Sequence, residues 1–239
     1  MIQSPNHCAI VSQCPLFNDL SLEECDEIIS TGRVYDVPPG GFFFHQGEES
    51  EMHYVLVSGR VKMSMVTDAG DQIIVAYFGP GEGIGIVVSL NWTPYPLSAE
   101  AIEPCTAIGW RRETMLELMQ GNARLAINGM NMLGGRFGQM LGRFQEMATQ
   151  RVEQRVARTL TRLVRQFGRR TDSGILIDIS LSREDLAQMT GTNLYNVSRI
   201  LSKWESDGLI TTSRKRVTLL KVHDLVALAE DIPPPGDNK

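Results

Sequence analysis

Residues 181–221, LSREDLAQMTGTNLYNVSRILSKWESDGLITTSRKRVTLLK, decide how the rest of this chain is read. Ser182, with Asp185 three residues on, resembles a capping box that opens a short helix. Gly191 permits the sharp turn that ends it. Thr192 or Asn193 caps a second helix through about Asp207, which Gly208 terminates. Two short strands follow, joined by the basic turn Ser213-Arg214-Lys215-Arg216. Helix, glycine-containing turn, helix and β-hairpin form the order of a winged helix-turn-helix.

In that motif the N-terminal residues of the second helix face base edges in the major groove. Asn193, Asn196, Ser198 and Arg199 offer donors there, and Tyr195 can pack or hydrogen-bond. Leu194, Val197, Ile200, Leu201 and Trp204 recur at helical spacing and form the expected buried face, with Leu194 near its end. Arg199 is the strongest base-reading candidate, because a guanidinium grips guanine O6 and N7 together for roughly 1–3 kcal/mol of discrimination. The alternative is a surface ion pair with Glu205 or Asp207. Ser182 and Arg183 in the first helix's opening turn suit phosphate contacts, as do Lys203 and the wing residues Arg214, Lys215 and Arg216.

Charge is distributed unevenly along the 239 residues, whose formal net charge is −5. Residues 1–149 hold 8 basic against 17 acidic side chains, whereas residues 150–239 hold 15 against 11. A basic C-terminal part on an acidic chain suits an anionic partner for that part alone. Arg151, Arg155, Arg158, Arg162 and Arg165 also repeat at helical spacing, so a solvated helix face explains the same excess.

Upstream, residues 15–31 read as a short helix with Ser21 and Glu24 as its capping box. From residue 33 to about 110, short runs rich in Val, Ile, Phe and Tyr alternate with turn signals, the texture of an all-β sandwich or roll. A short helix begins near residues 112–120, and a long helical region follows. Met130, Leu133, Phe137, Met140, Phe144, Met147 and Arg151 are spaced alternately by three and four, a heptad seam that implies a partner helix. An amphipathic helix packed on its own β-domain is the other reading. Gly134, Gly138 and Gly142 share one face, which suggests close approach of a partner helix or a ligand. The expected fold is α+β: an antiparallel, jelly-roll-like β-roll (1–120), a long central dimerisation helix (121–150), a winged helix-turn-helix (151–229) and a disordered tail (230–239).

Together these segments resemble the Crp/Fnr superfamily of bacterial transcription regulators over nearly the whole chain. FFFHQGEESEMHYVLVSGRVKM (42–63) resembles the opening of the cyclic-nucleotide-binding roll, and the spacing from PGEGIG (80–85) to LSAE (97–100) its phosphate cassette. VEQRVARTLTRLV (152–164) and LSREDLAQMTGTNLYNVSRIL (181–201) match the exit from the dimer helix and the DNA-binding signature. The resemblance implies a homodimer that binds a pseudo-palindromic double-stranded DNA operator and contacts RNA polymerase. An effector held by the roll and central helix would reorient the paired recognition helices. Most relatives activate transcription, so an activator is expected.

The departures narrow the effector. Members that bind cyclic AMP carry a Glu after the cassette glycine, an Arg before the cassette serine, and hydroxyl residues on the central helix. This chain has Ile86, Leu97, Met140 and Leu141 at those positions, alongside Gly83, Gly85 and Ser98. Loss of the charge-assisted arginine–phosphate pair disfavours cyclic AMP. The oxygen-sensing branch uses closely spaced N-terminal cysteines and one in the roll. Cys8, Cys14 and Cys25 lack that spacing and Cys105 falls about three positions from the expected place, which disfavours an iron–sulfur cluster. No cofactor is firmly indicated. Haem is left open, with His45, His53 and His7 (on an N-terminal arm) as candidate axial ligands. In the recognition helix Tyr195 stands where both branches carry Glu, so the half-site should differ from the standard one.

Other classes find less support. The histidines form no H-x-H pair and no Ser/His/Asp set stands out, so the chain reads as a non-enzyme. Cys8, Cys14, Cys25 and Cys105 are too scattered for a disulfide framework. No apolar run approaches the roughly 20 residues that span a bilayer, and no leader peptide is evident, so a cytoplasmic protein with no membrane partner is expected. A dimeric scaffold that does not bind DNA is the remaining rival.

Overall fold

The computed structural model describes residues 5–86 and 94–232, with side chains from His7 onward. The chain divides into two compact units, Met1–Met140 and Leu141–Lys239.

The first unit opens with α1 (Pro5–Val11), a 3-10 turn (Pro15–Phe17) and α2 (Leu22–Ser30). The Ser21 hydroxyl accepts from the Glu24 N–H at 3.2 Å while the Glu24 carboxylate accepts from the Ser21 N–H at 2.8 Å, the capping box expected there. Eight strands follow: β1 (Arg33–Val37), β2 (Phe42–Phe44), β3 (Met52–Ser58), β4 (Val61–Val66), β5 (Gln72–Phe78), β6 (Gly83–Ile84), β7 (Ser98–Ala101) and β8 (Cys105–Arg111). They form two four-stranded antiparallel sheets, in the orders β1-β8-β3-β6 and β2-β7-β4-β5. Tyr54, Leu56 and Ala107 from the first sheet meet Phe44, Val61 and Ala99 from the second in one buried cluster. The opposite face of the first sheet, with Val55, Val57, Ile108 and Trp110, is covered by apolar residues of the N-terminal helices and of the segment after β8. Burial on both faces explains why HYVLV (53–57) is a continuous apolar run rather than an alternating one. Trp110 ties helix to sheet, its Nε1–H donating to the Ile28 carbonyl at 3.1 Å.

After α3 (Arg112–Gly121), α4 runs from Ala123 to Thr149. Leu133 packs against the helix-side core of the first unit. The remaining seam side chains lie open: Met130, Phe137, Met140, Phe144 and Met147 are 54–74% exposed. The helix stops at Thr149, so Arg151 caps the next helix instead of extending the seam.

The second unit contains α5 (Val152–Phe167), β9 (Gly168–Thr171), β10 (Gly174–Ile177), α6 (Arg183–Thr190), α7 (Leu194–Ser206), β11 (Ile210–Ser213), β12 (Arg216–Leu219) and α8 (Val222–Glu230). One sheet, ordered β11-β12-β10-β9, backs the helices. The sequence reading placed no helix at α8, and Glu230 ends that helix rather than opening a tail; the rest of the expected tail, from residue 233, lies outside the described residues.

His53 sits on β3 with 0% exposure, stacked on Trp110 at 6.1 Å between ring centres. Neither ring nitrogen has a hydrogen-bond partner among the described residues. Burial, with the Arg136 charge adding to it, pushes its pKa from 6.5 down to about 3. Between these values the unfolded chain takes up a proton that the native state refuses. Stability is therefore full above pH 6.5 and falls as pH drops toward 3, by up to about 1.4 kcal/mol per pH unit. Urea unfolding followed by tryptophan fluorescence at pH 6.5, 5.5 and 4.5 should show this slope, and His53→Leu should flatten it.

Candidate nucleic-acid interface and effector cassette

The helix-turn-helix is built from side-chain caps. The Ser182 hydroxyl accepts from the Asp185 N–H at 3.0 Å and donates to the Asp185 carboxylate at 2.6 Å, fixing the start of α6. Gly191 ends α6 at φ 60° and ψ 46°, a left-handed conformation in which a Cβ would also lie 2.6 Å from the Met147 methyl. Asn193 then caps α7, its Oδ1 accepting from the Asn196 N–H at 2.9 Å. The Asn196 amide donates to the Thr192 hydroxyl at 3.0 Å, which fixes the plane of that side chain.

Val197, Ile200, Leu201 and Trp204 form the buried face of α7 as expected. Leu194 departs from that expectation: it is 48% exposed, and with Tyr195 at 73% it puts an apolar surface on the first turn. Arg199 projects away from the buried face and is exposed. Glu205, one of its two suggested ion-pair partners, instead accepts from the Thr212 N–H and hydroxyl, each at 2.7 Å, and lies 3.9 Å from Arg183. Among the described residues Arg199 makes no ion pair. Ser198 is half-buried beside it.

The wing is the β11–β12 hairpin, with Lys215 at φ 55° in its two-residue turn. The Lys215 carbonyl accepts from the Leu181 N–H at 2.9 Å, which brings the wing tip beside the start of α6. Arg214, Lys215 and Arg216 are exposed and make no ion pair among the described residues. Lys203 differs, because its Nζ lies 3.3 Å from the Glu153 carboxylate.

The arginine stripe of α5 is mostly internal structure rather than a solvated or ligand-facing surface. Arg155 donates from Nε to the Thr190 carbonyl at 2.9 Å, from Nη1 to the Gln150 carbonyl at 2.8 Å and from Nη2 to the Gly191 carbonyl at 3.4 Å. Arg158 donates to the Ala229 carbonyl at 2.9 Å, and Arg162 grips both Glu146 oxygens at 2.7 and 2.8 Å. Arg151 pairs with Asp231 at 2.6 Å.

In the first unit the described cassette side chains pack against the cores. Gly85 adopts φ +81°, and a Cβ there would lie 2.7 Å from the Met52 carbonyl. Ile86 has 0% exposure within the helix-side core, and Leu97 packs on the inter-sheet core. The Ser98 hydroxyl is engaged by the Gln46 N–H at 2.9 Å. Tyr95 stacks on Phe44 at 3.8 Å and exchanges hydrogen bonds with the Met52 N–H and carbonyl at 2.9 and 2.7 Å. Met140 and Leu141, expected to line the pocket, are 58% and 51% exposed. Two α4 side chains reach the cassette strand: Met132, whose methyl would lie 3.3 Å from a Cβ at Gly83, and Arg136, which donates to the Gly83 carbonyl and lies over the Phe78 ring at 5.1 Å. The place of Arg136 on the heptad, beside the seam residue Phe137, was the signal available in sequence. Residues 87–93 of the cassette segment lie outside the described residues.

The cysteines do not fit an iron–sulfur cluster. Cys14 and Cys25 belong to the helix-side core, whereas Cys105 belongs to the inter-sheet core and donates to the Arg60 carbonyl at 3.3 Å. Burial pushes the Cys14 and Cys105 thiols up to about 11 and raises Cys25 and Cys8 as well. The histidines named as possible haem ligands differ in access. His53 is enclosed beneath Trp110 and Gly83, and His45 lies on the exposed Phe42 ring at 4.2 Å. His7 lies in α1 with Nδ1 buried, and His223 is on α8 in the other unit.

A two-sheet roll, a long helix and a winged helix-turn-helix with a free arginine on its second helix define a regulator-type DNA-binding chain. Residues 35–122 match the cyclic nucleotide-binding domain, and residues 154–230 match the Crp-like helix-turn-helix domain. The transcriptional activator protein Anr of Pseudomonas aeruginosa is 28% identical over 228 residues, covering 93% of this chain and 92% of that protein. The fumarate and nitrate reduction regulatory protein of Salmonella typhimurium is 25% identical over 224 residues, covering 93% and 88%. The fold is that of the c-di-GMP-responsive global regulator CLP of Xanthomonas campestris, with a TM-score of 0.74 at 21% identity over 83% of this chain and 99% of that one. The chain belongs to the Crp/Fnr superfamily of transcription regulators.

Replacing Arg155 with Ala strands three carbonyls at once, and the second unit should lose about 2 kcal/mol of unfolding free energy in urea. Arg155→Lys should recover less than half of this, because an ammonium cannot fork across separated acceptors.

Proposed function

We propose that the chain is a homodimeric, sequence-specific DNA-binding regulator that activates transcription through contact with RNA polymerase. Its operator is a pseudo-palindrome with half-sites about one helical turn apart. The observation that carries this reading is Arg199: exposed, without an ion pair among the described residues, and opposite the buried face of a capped recognition helix. Asn196 and Ser198 flank it, and Leu194 and Tyr195 supply an apolar first turn suited to a thymine methyl group. Ser182, Arg183, Asn193 and the wing residues Arg214, Lys215 and Arg216 are placed to position the duplex through its phosphates. The open seam of Met130, Phe137, Met140, Phe144 and Met147 supports a second copy of α4 as the dimer partner. The printed name of the Anr relative supports activation.

The effector is something other than cyclic AMP, or none is needed. The apolar Ile86 and Leu97 and the engaged Ser98 hydroxyl support this. The protein works in the cytoplasm, and no helix among the described residues is long and apolar enough to cross a membrane.

Selection from a random duplex library, followed by footprinting, tests the reading; failure to enrich any motif would sink it. Arg199→Ala should weaken the selected operator by about 1–3 kcal/mol and relax the preference at one base pair per half-site. Phe144→Glu should convert the dimer to monomer in analytical ultracentrifugation and remove operator binding. Cyclic AMP in excess should leave operator affinity unchanged.

A further inference from the structure

Glu153 lies in the first turn of α5 and faces the recognition helix. Its Oε1 accepts two hydrogen bonds, from the Trp204 indole N–H at 3.1 Å and from the Lys203 ammonium at 3.3 Å. The two donors differ in kind. Trp204 is 1% exposed, whereas the Lys203 side chain is 63% exposed. Arg151, Glu153, Asn196, Arg199 and Lys203 line one cleft of about 550 Å³. The carboxylate therefore sits among side chains proposed to meet DNA, on a surface where a negative charge opposes that partner.

An exposed lysine–carboxylate pair is ordinarily weak and labile, because either side chain can swing into solvent. Here only the lysine is free to do so. The carboxylate satisfies the N–H of a buried indole, and departure would leave that donor unpaired in the core of the domain. A phosphate approaching Lys203 meets a fixed negative charge that cannot yield.

We propose that Glu153 is a positioning and charge-masking residue: it anchors α7 through Trp204 and neutralises Lys203, lowering sequence-independent affinity while base reading by Arg199 is untouched. The inference rests on the DNA-binding reading above. Non-specific binding is set by the number of phosphates neutralised, so masking one cation per protomer widens the gap between operator and random DNA.

Glu153→Gln separates the two roles, since the amide oxygen still accepts from Trp204 while Lys203 becomes an unpaired cation. The full-length protein is titrated against the selected operator and a scrambled duplex by fluorescence anisotropy between 50 and 200 mM salt. The variant should bind the scrambled duplex more tightly at low salt, with a salt slope steeper by about 0.9 per phosphate gained, or about 1.8 per dimer. Over that range it should lose about tenfold more affinity than the wild type. The double variant Glu153→Gln/Lys203→Gln should return to the wild-type slope. Lys203→Gln alone should leave the slope unchanged, because the charge it removes is already masked. A Glu153→Gln slope equal to the wild type's overturns the inference. So does a Lys203→Gln slope lower by a whole phosphate, which would put that lysine on DNA already. A wild-type protein that binds neither duplex overturns the DNA reading itself, an outcome separate from either of these.

Discussion

Three backbone carbonyls converge on the Arg155 guanidinium: Gln150 where the long helix has stopped, and Thr190 and Gly191 at the helix-turn-helix corner. Helix C-termini leave carbonyls without intrahelical donors, and these two ends lie together. A guanidinium carries five N–H groups in a rigid plane, so one side chain can serve both ends and fix their separation. The position of α7 follows from that separation. Gly191 adds a second constraint, because its left-handed turn and its contact with Met147 each exclude a side chain. Glu153 holds the far end of the same helix through the Trp204 indole. The recognition helix is thus gripped near both ends by the first turn of α5.

The described residues of the cassette segment contribute side chains to both cores of the first unit. Charge recognition would need an anchoring arginine before Ser98, and Leu97 packs into the inter-sheet core instead. The volume near Gly85 is occupied by the stacked Phe44 and Tyr95 rings, and the Tyr95 hydroxyl is engaged on both sides by Met52. What survives is a route of contact. Arg136 joins α4 to the Gly83 carbonyl of the short strand β6. Burial lowers the Arg136 pKa, outweighing the opposing influence of Cys14 and Glu82.

Local patterns made much of this legible. Both capping boxes, the glycine corner, the buried face of α7 and the Arg199 position follow from spacings of three and four residues, which the backbone enforces without reference to anything distant. The α8 helix is not signalled in the sequence because VHDLVALAE opens without a capping side chain, two residues after a strand ends. Leu194 departs from the expected buried face because helical spacing assigns a face but not where the packing beneath it ends. The role of Arg136 depends on long-range packing, with 53 residues separating it from Gly83. The arginine stripe of α5 left two readings open, and neither anticipated backbone carbonyls as the main partners.

Arg151 and Arg162 are paired with carboxylates, and Arg155 and Arg158 are engaged by backbone carbonyls, so part of the excess of basic residues after 149 is tied up within the chain. The whole chain carries a formal net charge of −5, so it has no long-range attraction to a polyanion. Attraction then arises within a Debye length, about 8–10 Å, and among the described residues of the second unit the exposed cations without an ion pair are Arg165, Arg170, Arg199, Arg214, Lys215, Arg216 and Lys221. Few phosphate contacts make weak non-specific binding, and affinity then depends on how well the recognition helix fits its groove. A protein of this kind gains little from more charge and much from rigid placement. The Arg155 fork and the Trp204–Glu153 bond supply that placement, and the masking of Lys203 works in the same direction.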